Sequence, residues 1–438
     1  MDPVISSLIL MIVLLALLAT GLWIALSLLM VGMIGLILFG NVSLELIGGR
    51  LATTSWGSTA SWSLTALPLF IWMGEILFRT RLSQDLFRGL SPWLAYLPGR
   101  LVHTNVVGSA IFAAVCGSSA ATAATIGKIS LPELRQRGYN EDISIGSLAG
   151  AATLGILIPP SIIFIVYGVS AEISIARLFM AGVFPGVLLV VLFMGYIIIW
   201  SLIHPDQIPE EPSRHAPWRE KLRISANLIP TLVLIVLVLG SLYLGIATPT
   251  ESAAIGVGGA LLLSVLSGTL SWPAFVDSLI GATRISCMIG FILVGAAFLT
   301  VVMGFTRIPE LLASWITSLQ LSQYSLLIVL TIFFIILGCF LDGISVVVLT
   351  TSVILPMIDQ LGIDKIWFGV YLVITVEMAQ ITPPVGFNLF VIQGISGHDM
   401  FYVAKATLPF FFLLIAAILI LVAFPEIATW LPQHMIGK

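Results

Sequence analysis

The sequence contains few charged residues. Asp, Glu, Lys and Arg together make up 9% of the 438 residues, whereas hydrophobic residues make up 59%. A soluble globular domain carries about 25% charged residues, and a soluble fold could not bury so large a share of apolar side chains. The formal net charge of −3 is close to neutral and gives no sign of a nucleic-acid partner. The composition therefore predicts a chain surrounded by lipid for most of its length.

The sequence also lacks the motifs of an enzyme. Its three cysteines and five histidines show neither the spacing of a disulfide framework nor that of a metal site. There is no Gly-rich phosphate-binding loop of the Walker type, and no Ser, His and Asp set stands in a suitable context. We therefore expect neither catalysis nor ATP hydrolysis on this chain.

Apolar segments occur along the whole chain. A membrane-spanning helix needs roughly 20 predominantly apolar residues. By this measure the ordinary predicted spans are 4–20, 22–40, 63–78, 178–203, 225–246, 252–267, 286–306 and 406–424. The fold class that follows is an all-α polytopic membrane protein.

Two longer segments are interrupted by small polar or acidic residues. The segment 101–127 contains Gly117 and Ser118, and the segment 323–358 contains Asp342 near its centre. Broken backbone at membrane depth is tolerated only against protein or a water-filled cavity. We therefore predict that both segments are re-entrant hairpins.

Two further segments, 143–175 and 366–396, are each interrupted by a pair of prolines. The pairs are Pro159-Pro160 and Pro383-Pro384. Proline removes a backbone donor and clashes with the preceding helical turn, so each pair predicts a broken helix. A single pair is often no more than a kink, but two pairs at matched positions favour a functional site.

The two halves of the chain resemble each other. Gly117 precedes Pro159 by 42 residues, and Asp342 precedes Pro383 by 41. An odd number of crossings in the first half would place the halves in opposite orientations, which is the inverted-repeat plan of secondary transporters. The predicted division is a first repeat at 1–203, a cytoplasmic linker at 204–223 and a second repeat at 224–438, each repeat holding scaffold helices, one hairpin and one broken helix.

Basic residues are distributed unevenly between the loops. If 101–127 is a re-entrant hairpin, thirteen of the 18 Lys and Arg residues fall on one side of the membrane and five on the other. The thirteen are Arg79, Arg81, Arg88, Arg100, Lys128, Arg135, Arg137, Arg214, Arg219, Lys221, Arg223, Arg284 and Lys405, and the five are Arg50, Arg177, Arg307, Lys365 and Lys438. The positive-inside rule makes the richer side cytoplasmic. Both termini are then expected in the periplasm.

The interruptions offer oxygen atoms that could bind an ion and a substrate. Unwound carbonyls and hydroxyls can replace the hydration shell of Na⁺, and half-helix N-termini can face an anionic group. Neutral oxygens with at most one carboxylate suit a monovalent cation, whereas Ca²⁺ would take several carboxylates. The predicted substrate-binding residues are Ser118, Ser119, Thr122, Ser161, Ser345 and Asn388.

For each polar residue in these segments a purely structural role must be weighed against a functional one. Ser and Thr in membrane helices often only allow close helix packing. Asp342 lies in an apolar stretch, where an ionisable residue is functional by default. Glu75 and Arg79, four residues apart, favour an interfacial ion pair, and Glu251 favours a helix start. The role of Glu377 stays open: it is either a gating or coupling residue, or a structural acid whose hydrogen bonds are satisfied within the fold.

Five strings of the sequence together resemble one known family. They are 117–127 (GSSAATAATIG), 155–161 (GILIPPS), 248–251 (TPTE), 342–343 (DG) and 381–388 (ITPPVGFN). In combination they are similar to the large membrane (M) subunit of tripartite ATP-independent periplasmic (TRAP) transporters. The resemblance covers essentially the whole chain, and its specificity comes from the combination rather than from any one string.

This resemblance implies properties that composition does not give. The family uses an elevator-type mechanism powered by a Na⁺ gradient in the bacterial inner membrane, in which a transport domain slides against a scaffold. A soluble periplasmic binding protein (P) delivers an organic acid, and a small membrane subunit (Q) of four spans stiffens the scaffold. No four-span extension precedes the M region here, so the resemblance implies an unfused subunit that needs a partner chain.

The resemblance also implies two sodium sites. The first would use Ser118 or Ser119 with carbonyls at Gly155, Ile158 and Ser161. The second would use Gly338, Asp342, Ala379, Thr382 and Val385. Glycine is expected in the family where this chain has Ala379; a carbonyl ligand survives that change, although the backbone loses freedom.

Three functional hypotheses follow. The first is a Na⁺-coupled importer subunit for a small carboxylate, sulfonate or sugar acid. The second is a stand-alone divalent-anion/Na⁺ symporter that works without a binding protein. The third is a channel or a structural scaffold. The substrate cannot be read from the sequence because no Arg lies in the broken segments, and Arg177 and Arg307, at the expected periplasmic ends, could instead meet the delivery protein or lipid headgroups.

Overall fold

The computed structural model describes residues 3–38, 42–79, 82–210, 217–306 and 322–435, and the regular structure in these ranges is helical. In the first half the helices are α1 (Pro3–Ala19), α2 (Ile24–Leu38), α3 (Leu44–Thr59), α4 (Ala66–Phe78), α5 (Leu82–Leu94), α6 (His103–Cys116), α7 (Ser119–Gln136), α8 (Glu141–Ala152), α9 (Leu154–Leu157), α10 (Ile162–Ser170) and α11 (Ile175–Ile203). The predicted all-α class is confirmed.

The second half repeats the same kinds of element. Its helices are α12 (Trp218–Ser225), α13 (Ile229–Tyr243), α14 (Pro249–Leu266), α15 (Trp272–Thr306), α16 (Gln323–Gly338), α17 (Gly343–Gln360), α18 (Lys365–Gln380), α19 (Phe387–Ser396), α20 (Met400–Ala423) and α21 (Glu426–Gln433). Within the described ranges four helices are long and apolar enough to cross a membrane, and up to eight spans result if each bent pair is counted as one.

The predicted interruptions separate helices in both halves. Hairpin 1 consists of α6 and α7, and broken helix 1 consists of α8 and α9 followed by α10, with a bend of 42° at the break. Hairpin 2 consists of α16 and α17, and broken helix 2 of α18 and α19. Hairpin 1 extends further than the predicted 101–127, because α7 continues to Gln136.

Side-chain caps explain where several of these helices begin. Ser118, Ser161 and Asp342 lie in extended backbone, and their side chains accept hydrogen bonds from N–H groups in the first turns of α7, α10 and α17. Thr248 and Glu251 form a reciprocal capping box at the start of α14, which confirms the predicted helix start. Such caps satisfy donors that would otherwise lack an intrahelical partner.

Two helices differ from the sequence-based prediction. α15 begins at Trp272, well before the predicted segment 286–306. Asp277 and Arg284 shorten the apolar run in the sequence, but no proline or glycine cluster stops the helix between them. The sequence does not predict α3 as a span, because polar residues lower its hydropathy, yet α3 is followed by an apolar helix after a bend of 58°.

Each hairpin packs on the broken helix of the other half of the chain. α7 of hairpin 1 packs on α19 of broken helix 2, and α17 of hairpin 2 packs on α10 of broken helix 1. This reciprocal packing is what two related repeats would produce. The repeat boundaries, the cytoplasmic side of the linker and the positions of the termini stay predictions, and 211–216 and 307–321, with Arg307, lie outside the described residues.

The broken helices form the centre of the fold. Every residue of α18 from Trp367 to Gln380 is buried, as is every residue of α8 from Ile143 to Ala152. By contrast α13 exposes large apolar side chains such as Val236 and Leu237. In lipid an exposed apolar surface is compatible with a stable fold, so α13 has the character of an outer helix.

Candidate functional site

A cavity of about 500 Å³ lies where the two hairpin tips meet the broken helices. Ser118 and Ser119 line it from hairpin 1, and Asp342 lines it from hairpin 2. The remaining wall comes from the break of each broken helix, from α4 and from α15. The structure therefore brings together the two tips that the sequence singled out, although they are more than 200 residues apart in the chain.

The tip of hairpin 1 lies directly against broken helix 1. Gly117 has φ +64°, and a Cβ there would come within 2.8 Å of the Pro160 carbonyl oxygen. A Cβ on Gly155 would come within 2.6 Å of the Ser119 Cα and 2.7 Å of the Ser118 carbonyl oxygen. Glycine is required at both positions because the two backbones touch.

The first proline pair changes the bonding of nearby carbonyls. Pro159 and Pro160 have no N–H, so the carbonyls of Gly155 and Ile156 lack the usual helical donor four residues on. The Ser161 hydroxyl donates to the Ile156 carbonyl at 2.5 Å, while Gly155 has no such replacement from Ser161. A carbonyl of this kind, at a backbone that touches Ser118 and Ser119, is the type of neutral oxygen that binds Na⁺.

Hairpin 2 carries its carboxylate at the helix start. Asp342 accepts hydrogen bonds from the N–H groups of Ile344 at 3.1 Å and Ser345 at 3.2 Å, and from the Ser345 hydroxyl. These donors hold the carboxylate at the cavity wall. Its charge is also favoured by the N-terminal end of α17.

The second proline pair lies beside the tip of hairpin 2. A Cβ on Gly338 would come within 2.6 Å of the Ala379 Cβ, so Gly338 provides the space that Ala379 occupies. The Ala379 carbonyl accepts from the Thr382 N–H at 3.1 Å. Cys339 connects the tip to the break through its thiol, 3.4 Å from the Pro383 carbonyl oxygen.

Several predicted residues do not line the cavity. Thr122, Ser161, Ser345 and Asn388 are buried behind it. In the structure their side chains hold other groups: the Thr122 hydroxyl donates to the Ser118 carbonyl at 2.8 Å, and Asn388 donates to Glu377 at 3.2 Å. The other predicted ligands outside the lining are Gly155, Ile158, Gly338, Ala379, Thr382 and Val385. Their predicted roles as ligands stay predictions.

The cavity has walls that sequence reasoning missed. Glu75 of α4 lines it and forms the predicted ion pair with Arg79 at 2.9 Å. Ile285 and Met288 contribute from α15, and Gln380 from the end of α18. No feature of the sequence marks the α15 residues, because apolar side chains on a long helix look alike whether they face lipid or a cavity.

The oxygens around the cavity are mostly uncharged. In the described part of the chain no group of three or more His, Cys, Asp or Glu side chains could hold a metal ion. The donor set is instead one of hydroxyls and carbonyls, together with the Asp342 carboxylate and the Glu75 carboxylate, which is paired with Arg79. That set suits a monovalent cation better than a divalent one.

Two hairpins whose tips meet two broken helices around one cavity define a membrane transport protein of the secondary-transporter class. Residues 11–427 match the family model described as "Tripartite ATP-independent periplasmic transporter, DctM component". The chain belongs to this family, which confirms the resemblance seen in the sequence.

Individual relatives agree with this assignment. The chain is 32% identical to the C4-dicarboxylate TRAP transporter large permease protein DctM of Pseudomonas aeruginosa, over 92% of this chain and 93% of that protein. It is 30% identical to the isethionate TRAP transporter permease protein DctMQ of Oleidesulfovibrio alaskensis, over 94% of this chain and 64% of that protein.

A solved structure has a similar fold. The crystal structure of the Alcanivorax borkumensis YdaH transporter aligns with a TM-score of 0.64 over 90% of both chains, at 14% sequence identity. At this identity the likeness concerns the fold alone.

Proposed function

We propose that this chain is the membrane permease subunit of a Na⁺-coupled importer that takes up a small organic anion from a periplasmic binding protein. It works in the bacterial inner membrane beside a small Q subunit. Membership of the TRAP family supports the transport role, and the apolar helices support the location. The observation that carries the proposal is the cavity in which both hairpin tips meet.

The chemistry of the cavity suits an anionic substrate. Ser119 is the first residue of α7 and lines the cavity. Helix N-termini carry a partial positive charge that favours anions. The hydroxyls of Ser118 and Ser119 can donate to a carboxylate or a sulfonate. C4-dicarboxylates and isethionate, for which two relatives are named, carry such groups. The proposed substrate belongs to this class.

Two Na⁺ ions bind the tips in this proposal. One lies against hairpin 1 and broken helix 1, with Ser118 or Ser119 and the carbonyls of Gly155, Ile158 and Ser161. The other lies against hairpin 2 and broken helix 2, with Gly338, Asp342, Ala379, Thr382 and Val385. The backbone contact at Gly155 and the oxygens freed by the proline pairs support these placements. Each ion would fix a tip and thereby shape the substrate cavity.

The proposed transport step is an elevator movement. The hairpins and broken helices move together in this proposal, because Gly155 lies against the backbone of hairpin 1 and Gly338 lies against the Ala379 side chain of broken helix 2. They slide against α4 and α15. α4 presents Gly74 to the tip of hairpin 1, where a Cβ would come within 3.2 Å of the Cys116 Cα. Because Gly74 has no side chain, no group projects from α4 into the path of hairpin 1 at this contact.

Reconstitution in proteoliposomes tests this function. The chain, its small membrane subunit and the binding protein encoded with it would be supplied with an inward Na⁺ gradient. We expect uptake only with both partners and with Na⁺. Uptake by this chain alone would favour the stand-alone symporter, and uptake unaffected by the removal of Na⁺ would contradict the coupling.

A further inference from the structure

One acidic side chain at the centre of the fold has no role in the function proposed above. Glu377 of α18 is 1% exposed. Its Oε2 accepts from the Asn388 amide at 3.2 Å, across the break of broken helix 2. The Ser119 hydroxyl of hairpin 1 lies beside the same carboxyl group. A carboxyl group at this depth stays charged only beside a compensating cation, and otherwise it holds a proton.

Two oxygen atoms of this group lack a donor. Glu377 Oε1 and Asn388 Oδ1 are buried without a hydrogen-bond partner, and Asn388 is 0% exposed. Buried polar atoms in proteins are nearly always paired. The amide of Asn388 already donates to Glu377, so the two unpaired atoms are both acceptors. What they lack is a donor or a cation rather than another carbonyl or carboxylate.

No described basic side chain on the surrounding helices supplies that charge. Lys128, Arg177 and Lys405 are exposed, and Lys365 pairs with Asp359 at 2.9 Å. The nearby acid Asp342 is held by the first turn of α17, and Glu75 pairs with Arg79. The remaining titratable groups nearby are Cys116, Cys339 and Tyr371, none of which is a cation.

We propose that Glu377, Asn388 and Ser119 form a further Na⁺ site of this protein. The site has one carboxylate and two neutral side-chain oxygens, so a monovalent cation balances its charge. It rests on the proposed Na⁺ coupling and deepens it: Ser118 remains with hairpin 1 in the first predicted site, and Ser119 belongs to this one. The ion joins the tip of hairpin 1 to both sides of the break in broken helix 2, so it couples the two repeats directly.

The stoichiometry of Na⁺ binding tests the site. The purified complex of the chain and its small subunit would be titrated with ²²Na⁺ at constant ionic strength, without substrate. Glu377→Gln keeps the shape of the side chain and removes its charge, and we expect it to bind one Na⁺ fewer than the wild type. Thr375→Val is the matched control: Thr375 is buried on the same helix, and its hydroxyl donates only along that helix to the Tyr371 carbonyl at 2.8 Å. It should bind as many Na⁺ ions as the wild type.

A gain of function provides a second test. Asn388→Asp places a second carboxylate beside Glu377, and paired carboxylates favour Ca²⁺. We expect Ca²⁺ to raise the Tm of this variant and to leave the Tm of the wild type unchanged. This readout remains decisive if Glu377→Gln does not fold.

The outcomes separate this inference from the proposed function. Equal Na⁺ counts for Glu377→Gln and the wild type would overturn the site, and Glu377 would then be balanced by a proton. An Asn388→Asp variant that folds but shows no response to Ca²⁺ would also overturn it. A wild type that binds no Na⁺ at all would refute the proposed coupling itself, and this site with it.

Discussion

At the scale of single residues, the site depends on glycines at positions where neighbouring helices come into close contact. Gly117, Gly155 and Gly338 each permit a contact that a Cβ would block. The sequence indicated the location of the tips, because Gly, Pro, Ser and Asp act locally on the backbone. It did not indicate that Gly338 makes room for Ala379, since that contact joins two helices through packing alone.

The substitution Gly155→Ala should separate the tip of hairpin 1 from broken helix 1. The new Cβ would meet the Ser119 Cα at 2.6 Å, and overpacking of this kind costs about 1–3 kcal/mol. We expect a lower Tm and weaker Na⁺ binding. Gly258→Ala on α14 is the control, because nothing lies within 4 Å of its Cβ. Equal Tm values for the two variants would show that the close contact is not real.

The pair Gly338 and Ala379 allows a double-mutant cycle. Gly338→Ala alone should destabilise the protein, because the two Cβ atoms would be 2.6 Å apart. Adding Ala379→Gly removes one of them and should restore most of the loss in Tm. Contacting residues typically couple by about 0.5–3 kcal/mol. Additive effects of the two changes would contradict the contact.

At the scale of elements, the breaks are the most predictable part of the fold. Both proline pairs and both tips separate helices as expected, because proline and helix caps act within a few residues. Helix ends elsewhere were harder to predict. α15 passes through Asp277 and Arg284, and polarity alone does not show that a helix continues through two charges.

The break in helix 1 is stabilised by Ser161, which predicts a specific loss. Its hydroxyl donates to the Ile156 carbonyl and accepts from the Phe164 N–H at 3.2 Å. Ser161→Ala should therefore cost about 1–2 kcal/mol, with a buried carbonyl left unpaired. Ser174→Ala removes a helix cap at an exposed position and should cost less. Thermal unfolding of both variants in detergent would compare them, and a larger loss for Ser174→Ala would refute the assigned role of Ser161.

At the scale of the whole molecule, two related halves create one cavity. Sequence spacing predicted the repeats, but not that α4 and α15 close the cavity or that Glu75 and Met288 line it. Those contacts arise from packing of apolar helices, and in lipid their sequences carry little information on which face is buried. The sequence also left Glu377 open, and only its burial with unpaired oxygens gives it a proposed role.

The central claim is that the cavity between the two tips couples Na⁺ to substrate movement. The most direct test is the initial rate of uptake into proteoliposomes at increasing Na⁺, for the wild type and for Asp342→Ala, with both partner proteins present. Asp342 lines the cavity and holds the start of α17. We predict that the wild-type rate rises with Na⁺ and that Asp342→Ala loses Na⁺-dependent uptake while still assembling with the small subunit. An Asp342→Ala variant with wild-type flux and Na⁺ dependence would contradict the account.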